Sequence, residues 1–422
     1  MQIKKFLKEL NFSPSKEELT EIRKKTEQIV SLLRNEIKKR KINADVFVGG
    51  SYPKGTLAEN TTYDIDTFVR FDLKYLEISA LLEKIVKNSL KKFGDVTKIH
   101  GSRDYFKVSP AERMSFEIIP VAKIGNPKEA RNVTDLSYFH VNYVKRKLKN
   151  NMAGEVILAK KFCESLGVYG AESYIHGFSG YGLECLIIYY KSFEKMLLGL
   201  SKVKDRIIID IEKRFKNKKD ILFELNENKI QCPIILIDPT WKERNALAAL
   251  SYESFHKFQK RAKDFLKKPK REHFEIRNIE KEKLERAAEA KGGEFLSIHL
   301  RTEKQEGDIA GTKLKKFAEY LETEISRYFD VLLKEFLYGD EKEAVFYIGV
   351  RSKGEIIKFG PPVSMKAHAY EFKKKNDNVF EKGGFLRAKV KVDFTAKDFV
   401  ERWAKENEKK MNEMGIVELA VE

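Results

Sequence analysis

The sequence predicts an α+β protein of three parts, and three patterns carry that prediction. Residues 1–145 alternate strand-like and helical runs at short spacing, residues 146–270 are mostly of helical period, and residues 271–422 mix the two again. A length of 422 residues fits several domains at roughly 100–200 residues each. The expectation is a head with a mixed sheet, a mostly helical middle domain and an α+β C-terminal region.

Residues 13–40 read as a helix. Ser15 and Glu18 form a capping box, and Leu19, Ile22, Ile29, Val30, Leu33 and Ile37 recur at helical spacing. ADVFV (44–48) is a short apolar strand. The turn Gly49-Gly50-Ser51 and a basic, proline-kinked loop lead to a second strand, DIDTFVRF (64–71). A helix over about 75–92 and a buried strand, MSFEIIPVAKI (114–124), follow.

In the middle part, EVILAKKFCESLGVYG predicts a helix closed by Gly167, and LECLIIYYKSFEKMLLGL (183–200) predicts another. PIILIDPTWKERNALAALS (233–251) predicts a proline turn ahead of a helix, and KFQKRAKDFLKKPKR (257–271) is a basic stretch leading out. In the last part, FLSIHLRT (295–302) and AVFYIGVR (344–351) read as strands on either side of a long helix over 312–338. FLRAKVKVDF alternates Leu386, Ala388, Val390, Val392 and Phe394 with Arg387, Lys389 and Lys391. A sheet with one basic face suits RNA, and solvated lysines of an edge strand give the same pattern.

Lysine and arginine total 82 against 64 acids, a net charge of +18. Such an excess favours a polyanionic partner, because neutralised phosphates release counterions. The competing reading is a surface solvated by lysine and glutamate. Cys163, Cys185 and Cys232 show neither pairing nor zinc spacing, which suits a reduced cytoplasm. No apolar run reaches the ~18 residues of a membrane span, and MQIKKFLKEL lacks a signal-peptide core. A soluble cytoplasmic protein without a membrane partner is expected.

The chemistry concentrates after the first turn. Side chains two apart on a strand share a face, so Asp64 and Asp66 point one way and Ile65 into the core. Two carboxylates so close repel unless a cation lies between them, and magnesium prefers carboxylate oxygens together with substrate phosphates. Glu117 interrupts an apolar run between Phe116 and Ile118 and supplies a third acid from a later strand. Gly49, Gly50 and Ser51 bring backbone amides and a hydroxyl to a phosphate, and Lys54 adds charge. Taken singly, each acid is more often a solvated or salt-bridged residue.

GGSYPKGT, DID and FEIIP together resemble the signature of the DNA polymerase β-like nucleotidyltransferases. SYFHVNYV (137–144), EVILAKKF with GVYGAE (155–172), GFSGYGLECLI (177–187), DPTWKERNALAALS (238–251) and FGPPVSMKAHAYEF (359–372) resemble, in order, blocks of the archaeal-type (class I) CCA-adding enzymes. These blocks cover most of the chain.

The resemblance implies template-independent addition and repair of the 3′-terminal CCA of tRNA from CTP and ATP, with release of pyrophosphate. It implies Asp64, Asp66 and Glu117 as catalytic ligands of Mg2+, and Gly50, Ser51 and Lys54 at the triphosphate. His140, Lys160 and Tyr169 would complete the nucleotide site, and Arg244 would lie by the base. The tRNA acceptor arm would be gripped by the basic middle and C-terminal parts.

Without the resemblance, His140 reads as a core histidine, Tyr169 as packing, Lys160 as a surface lysine and Arg244 as a helix-start arginine in a salt bridge. Two positions depart from the family pattern: Glu117 stands where aspartate is usual, and Lys54 where arginine is common. The alternatives are another polymerase β-like enzyme, of poly(A), oligoadenylate or small-molecule type, and a non-catalytic RNA-binding protein on the same fold. Primer choice separates the first, and three intact carboxylates count against the second. The oligomeric state is open, a homodimer included.

Overall fold

After the short α1 (Gln2–Glu9), α2 (Lys16–Lys39) starts at the capping box read from the sequence. Ser15 Oγ accepts from the Glu18 amide at 3.1 Å, and the Glu18 carboxylate accepts from the Ser15 amide at 2.8 Å. The structure, a computed structural model, describes residues 2–101, 103–149, 151–226, 229–276, 279–304, 307–339 and 341–422. The chain forms two compact units, Met1–Arg277 and Asn278–Glu422.

In the first unit, β1 (Ala44–Val48), β2 (Tyr63–Phe71), α3 (Ile78–Ser89), β3 (Val96–Ile99), β4 (Tyr105–Ala111) and β5 (Met114–Ala122) follow α2. The sheet order is β1-β2-β5-β4-β3, with β2 and β5 parallel and the other pairs antiparallel, so the sheet is mixed. Ile65, Val69 and Phe71 of β2 and Phe116 and Ile118 of β5 are fully buried in a core shared with Ile22, Ile29 and Leu33 of α2. Burying each such side chain stabilises by roughly 1.5–3 kcal/mol, and a slip of one residue would drive Asp64 and Asp66 into that core instead. Hydrophobic alternation thereby places the acids on the opposite face.

The helical part contains α4 (Ser137–Lys147), α5 (Met152–Glu164), α6 (Gly180–Tyr190), α7 (Phe193–Leu200), β6 (Ile207–Ile209), α8 (Lys218–Glu224), β7 (Ile234–Leu236) and α9 (Tyr252–Lys267). They enclose a core in which Phe162, Phe178, Phe193, Phe258 and Phe265 are buried and their rings meet edge-on or tilted. The helix expected over 183–200 is two helices. Lys191 adopts a left-handed φ of 70° and ends α6, and Ser192 caps α7.

The helix expected within 238–251 does not form there; α9 begins only at Tyr252, capped by Ser251. Asn245 Oδ1 instead accepts from the amides of Leu236 and Leu247 at 3.0 and 2.9 Å, so local side-chain bonds replace helical ones. β6 and β7, a short parallel pair, lie inside the stretch expected to be mostly helical.

The second unit contains α10 (Lys281–Glu289), β8 (Glu294–Arg301), α11 (Asp308–Ile325), β9 (Phe329–Tyr338), β10 (Glu343–Ser352), β11 (Glu355–Pro362), α12 (Lys366–Lys375), β12 (Val379–Lys382), β13 (Phe385–Lys391), α13 (Ala396–Glu406), α14 (Glu408–Met414) and β14 (Glu418–Val421). One antiparallel sheet runs β14-β8-β10-β9, and a smaller one runs β11-β13-β12. The single helix expected over 312–338 is corrected: α11 stops at Ile325, and Phe329–Tyr338 is a strand paired along β10. Pairing such as Phe336 with Phe346 overrides the helical preference of Leu332–Glu335.

β13 alternates as expected, with Leu386 and Ala388 buried and Lys389 and Lys391 exposed. It is the central strand of its sheet, which removes the edge-strand explanation for those lysines. Among the described residues no helix is long and apolar enough to cross a membrane. The three cysteines are free and buried.

Candidate active site

The parallel register of β2 and β5 sets Asp66 directly beside Glu117, and Asp64 shares their face two residues back. Lys107, on β4, opposes Glu117 and brings its Nζ to 3.8 Å from Asp64 Oδ1. Asp64 is exposed, while Asp66 and Glu117 are half-buried. Burial is the main cause that raises Glu117 to about 7, and the charges of Asp66 and Asp64 add to it. Burial likewise raises Asp66 to about 6, against the pull of Lys54 and with the push of Asp64.

Among the described residues no three side chains are gathered closely enough to chelate a metal. The donor set nevertheless fits a hard divalent cation. It offers carboxylates from neighbouring strands, two of them raised chiefly by burial and by the charge of neighbouring acids, and a cation between them would pull both back down.

The glycine turn serves this acid face directly. Gly50 has a φ of 64°, and a Cβ on it would overlap the Asp66 carboxylate. The Gly49 amide donates to the Asp66 carbonyl at 2.8 Å, fixing the turn to the strand that carries the acids. Ser51 closes the next turn, its carbonyl accepting from the amides of Lys54 and Thr56.

Lys54 then reaches into the helical part. Its Nζ forms a 2.6 Å ion pair with Glu184 Oε2 of α6, and Glu184 Oε1 accepts from Thr56 Oγ1 at 2.7 Å. Lys160, on α5, donates to the Thr56 carbonyl at 2.9 Å. It is buried, not a surface lysine, and burial lowers it to about 8. Tyr169 packs its hydroxyl against Gly180, where a Cβ would stand 2.9 Å from that oxygen and 3.8 Å from Lys160 Cε. Glu184 and Thr56 escape a reading of the sequence, although an acid inside the apolar run LECLII carries the same signal as Glu117.

A third cluster gathers on Asp238. Its Oδ2 accepts from His140 Nε2 at 2.9 Å and Arg244 Nη1 at 2.8 Å, and its Oδ1 from the Tyr181 hydroxyl at 2.9 Å. Burial opposes ionisation of Asp238, but the His140 bond, the Arg244 charge and the Thr240 amide overcome it and hold the carboxyl far below its ordinary range. Burial lowers His140, against the pull of Asp238, and its ring stacks on Tyr181 with centroids 3.9 Å apart. Arg244 sits in a turn, not at a helix start, and its salt bridge is the one to Asp238. The charge of Lys54 lowers Asp66, Lys160 and His140 alike, so it couples the three clusters electrostatically.

Two families match the chain: residues 30–121 match the nucleotidyltransferase domain, and residues 154–275 match the second domain of tRNA nucleotidyltransferase. The chain is 42% identical to the CCA-adding enzyme of Nanoarchaeum equitans over 246 residues, 58% of this chain and 60% of that relative's length. It is 30% identical to the CCA-adding enzyme of Saccharolobus islandicus over 391 residues, covering 90% of this chain and 88% of the relative. It is 29% identical to that of Sulfurisphaera tokodaii over 394 residues, 92% and 88% of the two chains. Among solved structures, the RNA terminal uridylyl transferase Cid1 superposes with a TM-score of 0.51 at 13% identity, over 66% of this chain and 99% of Cid1, a likeness of fold alone.

Proposed function

The chain belongs to the archaeal CCA-adding enzymes, within the polymerase β-like nucleotidyltransferases, and from that premise we propose how its residues perform nucleotidyl transfer to tRNA. The tRNA 3′-oxygen bonds to the α-phosphorus of CTP or ATP as the bond from that phosphorus to pyrophosphate breaks. Asp64, Asp66 and Glu117 hold divalent cations. Nucleotidyltransferases of this kind depend on such metals, and magnesium is the ion we assign. When bound, two ions supply Lewis-acid stabilisation of the attacking and leaving oxygens.

Glu117, beside Asp66 on the acid face, is placed to help take the proton of the attacking hydroxyl. Its extra methylene relative to aspartate lengthens the reach of that carboxylate. Gly50 and Ser51 line the triphosphate, Lys54 and Lys160 neutralise it, and His140 and Tyr169 close the nucleotide site. Arg244 faces the base. Cytosine and adenine both present an unprotonated ring nitrogen beside an amine, whereas uracil and guanine present a ring N–H there; a fixed donor therefore accepts the first two.

The same reading divides the chain into a catalytic part (1–145), a helical part completing the nucleotide site (146–270) and a part that grips tRNA (271–422). It places the enzyme in the cytoplasm, where the buried free cysteines stay reduced.

The observation that carries this reading is the pairing of Asp66 with Glu117, with Asp64 on the same face. The test incubates the purified protein with tRNA lacking its CCA end, labelled CTP or ATP, and magnesium, then sequences the 3′ ends. Ordered addition of CCA, abolished by Asp66→Asn while tRNA affinity stays within about twofold, is expected. Indiscriminate adenylation of any RNA, or robust incorporation by Asp66→Asn, would overturn the assignment.

A further inference from the structure

Asp238 is fully buried, and five hydrogen bonds converge on its two oxygens. Oδ1 accepts from the Tyr181 hydroxyl and from the Thr240 amide and hydroxyl, at 2.9, 2.8 and 2.7 Å. Oδ2 accepts from His140 Nε2 and Arg244 Nη1. We propose that Asp238 is a positioning residue for nucleotide selection, aiming the Arg244 guanidinium at the base and fixing the His140 tautomer. The proposal rests on the reading in which Arg244 faces the base.

An ionised carboxylate only accepts. His140 must therefore carry its proton on Nε2, which leaves Nδ1 as the nitrogen that meets a ligand. Arg244 commits one nitrogen to Asp238 and lies 6.0 Å over the Tyr181 ring, so its swing is limited on two sides. Its remaining donors then point in a set direction, as a choice between a lone pair and an N–H on the base requires.

The turn is also closed by backbone bonds that do not involve this carboxylate. The Asp238 amide donates to the Arg244 carbonyl at 2.9 Å, and the Arg244 amide to the Trp241 carbonyl at 3.0 Å. The side chain of Asp238 thus holds one backbone amide of the turn, that of Thr240, and otherwise arranges side chains.

Asp238→Asn separates these roles. The amide keeps the shape of the carboxylate but offers one acceptor and one donor group. The Thr240 amide cannot cease to donate, so the asparagine oxygen takes the Oδ1 place and its NH2 faces His140 and Arg244. Arg244 is then released, and His140 must move its proton to Nδ1 to accept at Nε2.

The experiment measures kcat/KM for CTP, ATP and UTP on tRNA lacking CCA, for the wild-type protein, Asp238→Asn, Asp238→Glu and Arg244→Ala, and reads the His140 tautomer by nitrogen NMR. For Asp238→Asn, a loss on the order of 10- to 100-fold for CTP and ATP is expected, with a narrower margin over UTP, an Nδ1–H tautomer and unchanged tRNA affinity. Asp238→Glu, which restores the charge, should recover part of the margin. Wild-type discrimination in folded Asp238→Asn would overturn the proposal, as would an Nδ1–H tautomer in the wild-type protein, a reading that needs no variant to fold. Wild-type discrimination in Arg244→Ala would instead overturn the reading on which the proposal rests.

Discussion

Lys54 and Glu184 form a 2.6 Å ion pair in which the side chains are 8% and 0% exposed, 130 residues apart in sequence. The pair ties the loop after the glycine turn to α6, and Thr56 fastens the same loop to the other oxygen of Glu184. The Lys54 ammonium, which we propose meets the triphosphate, is therefore held in place by the protein's own side chains.

Breaking the pair from one side should be severe. Lys54→Met leaves a buried carboxylate uncompensated, a loss of about 3–5 kcal/mol in unfolding free energy, and the double variant with Glu184→Gln should recover part of it. Denaturant unfolding of the four proteins in the cycle measures the coupling. Additive losses would show that the two charges do not depend on each other.

Gly50→Ala should cripple catalysis more than folding. The added methyl meets the Asp66 carboxylate, and the φ of 64° adds strain of about 1 kcal/mol for a residue with a Cβ. Nucleotide addition should fall at least about 100-fold as Asp66 is displaced, with tRNA affinity unchanged. Near-normal incorporation would mean that the position of Asp66 tolerates movement.

The acid face was legible because its signals are local. Asp64 and Asp66 at strand spacing, and Glu117 between Phe116 and Ile118, need only the period of a strand to be placed. What pairs with them was not. Lys107 reaches Asp64 from β4, and Glu184 reaches Lys54 from a helix, so both depend on tertiary register that spacing does not encode. The stretch after Asp238 misled for another reason: its Leu and Ala residues suit a helix, while Asn245 captures the Leu247 amide and ties the stretch to the Leu236 amide of β7. Phe329–Tyr338 misled likewise, its strand identity being set by β10 rather than by its own residues.

The acids also make metal-free stability depend on pH. Glu117 in the folded protein is raised from 4.5 to about 7, so its protonated form is favoured by folding. The stability it contributes is fully present below 4.5 and is lost as pH rises through about 7. Metal-free protein should therefore weaken over that interval by about 1–2 kcal/mol more than Glu117→Gln does, since glutamine has no proton to lose. Magnesium added at pH 8 should stabilise the wild-type protein more than the variant, which keeps Asp64 and Asp66 but lacks the third carboxylate. Equal pH slopes, measured by thermal unfolding in chelator, would show that Glu117 does not titrate in this range.

The basic surface should set tRNA affinity without touching nucleotide affinity. A net charge of +18 predicts a steep fall of tRNA binding with salt, its log–log slope counting the phosphates neutralised. Within β13, Lys389 is 3.1 Å from Glu355 while Arg387 lies 4.8 Å over the Phe359 ring, so only part of the strand's charge is unopposed. Charge reversal at Lys391, which is exposed, should weaken tRNA binding several-fold and lower the salt slope by about 1. Reversal within KKPKR (267–271) should act in the same direction, and neither change should alter ATP affinity measured without tRNA. A salt-independent tRNA affinity would place recognition in uncharged contacts. A loss of ATP affinity in Lys391→Glu would tie that strand to the nucleotide site rather than to the RNA backbone.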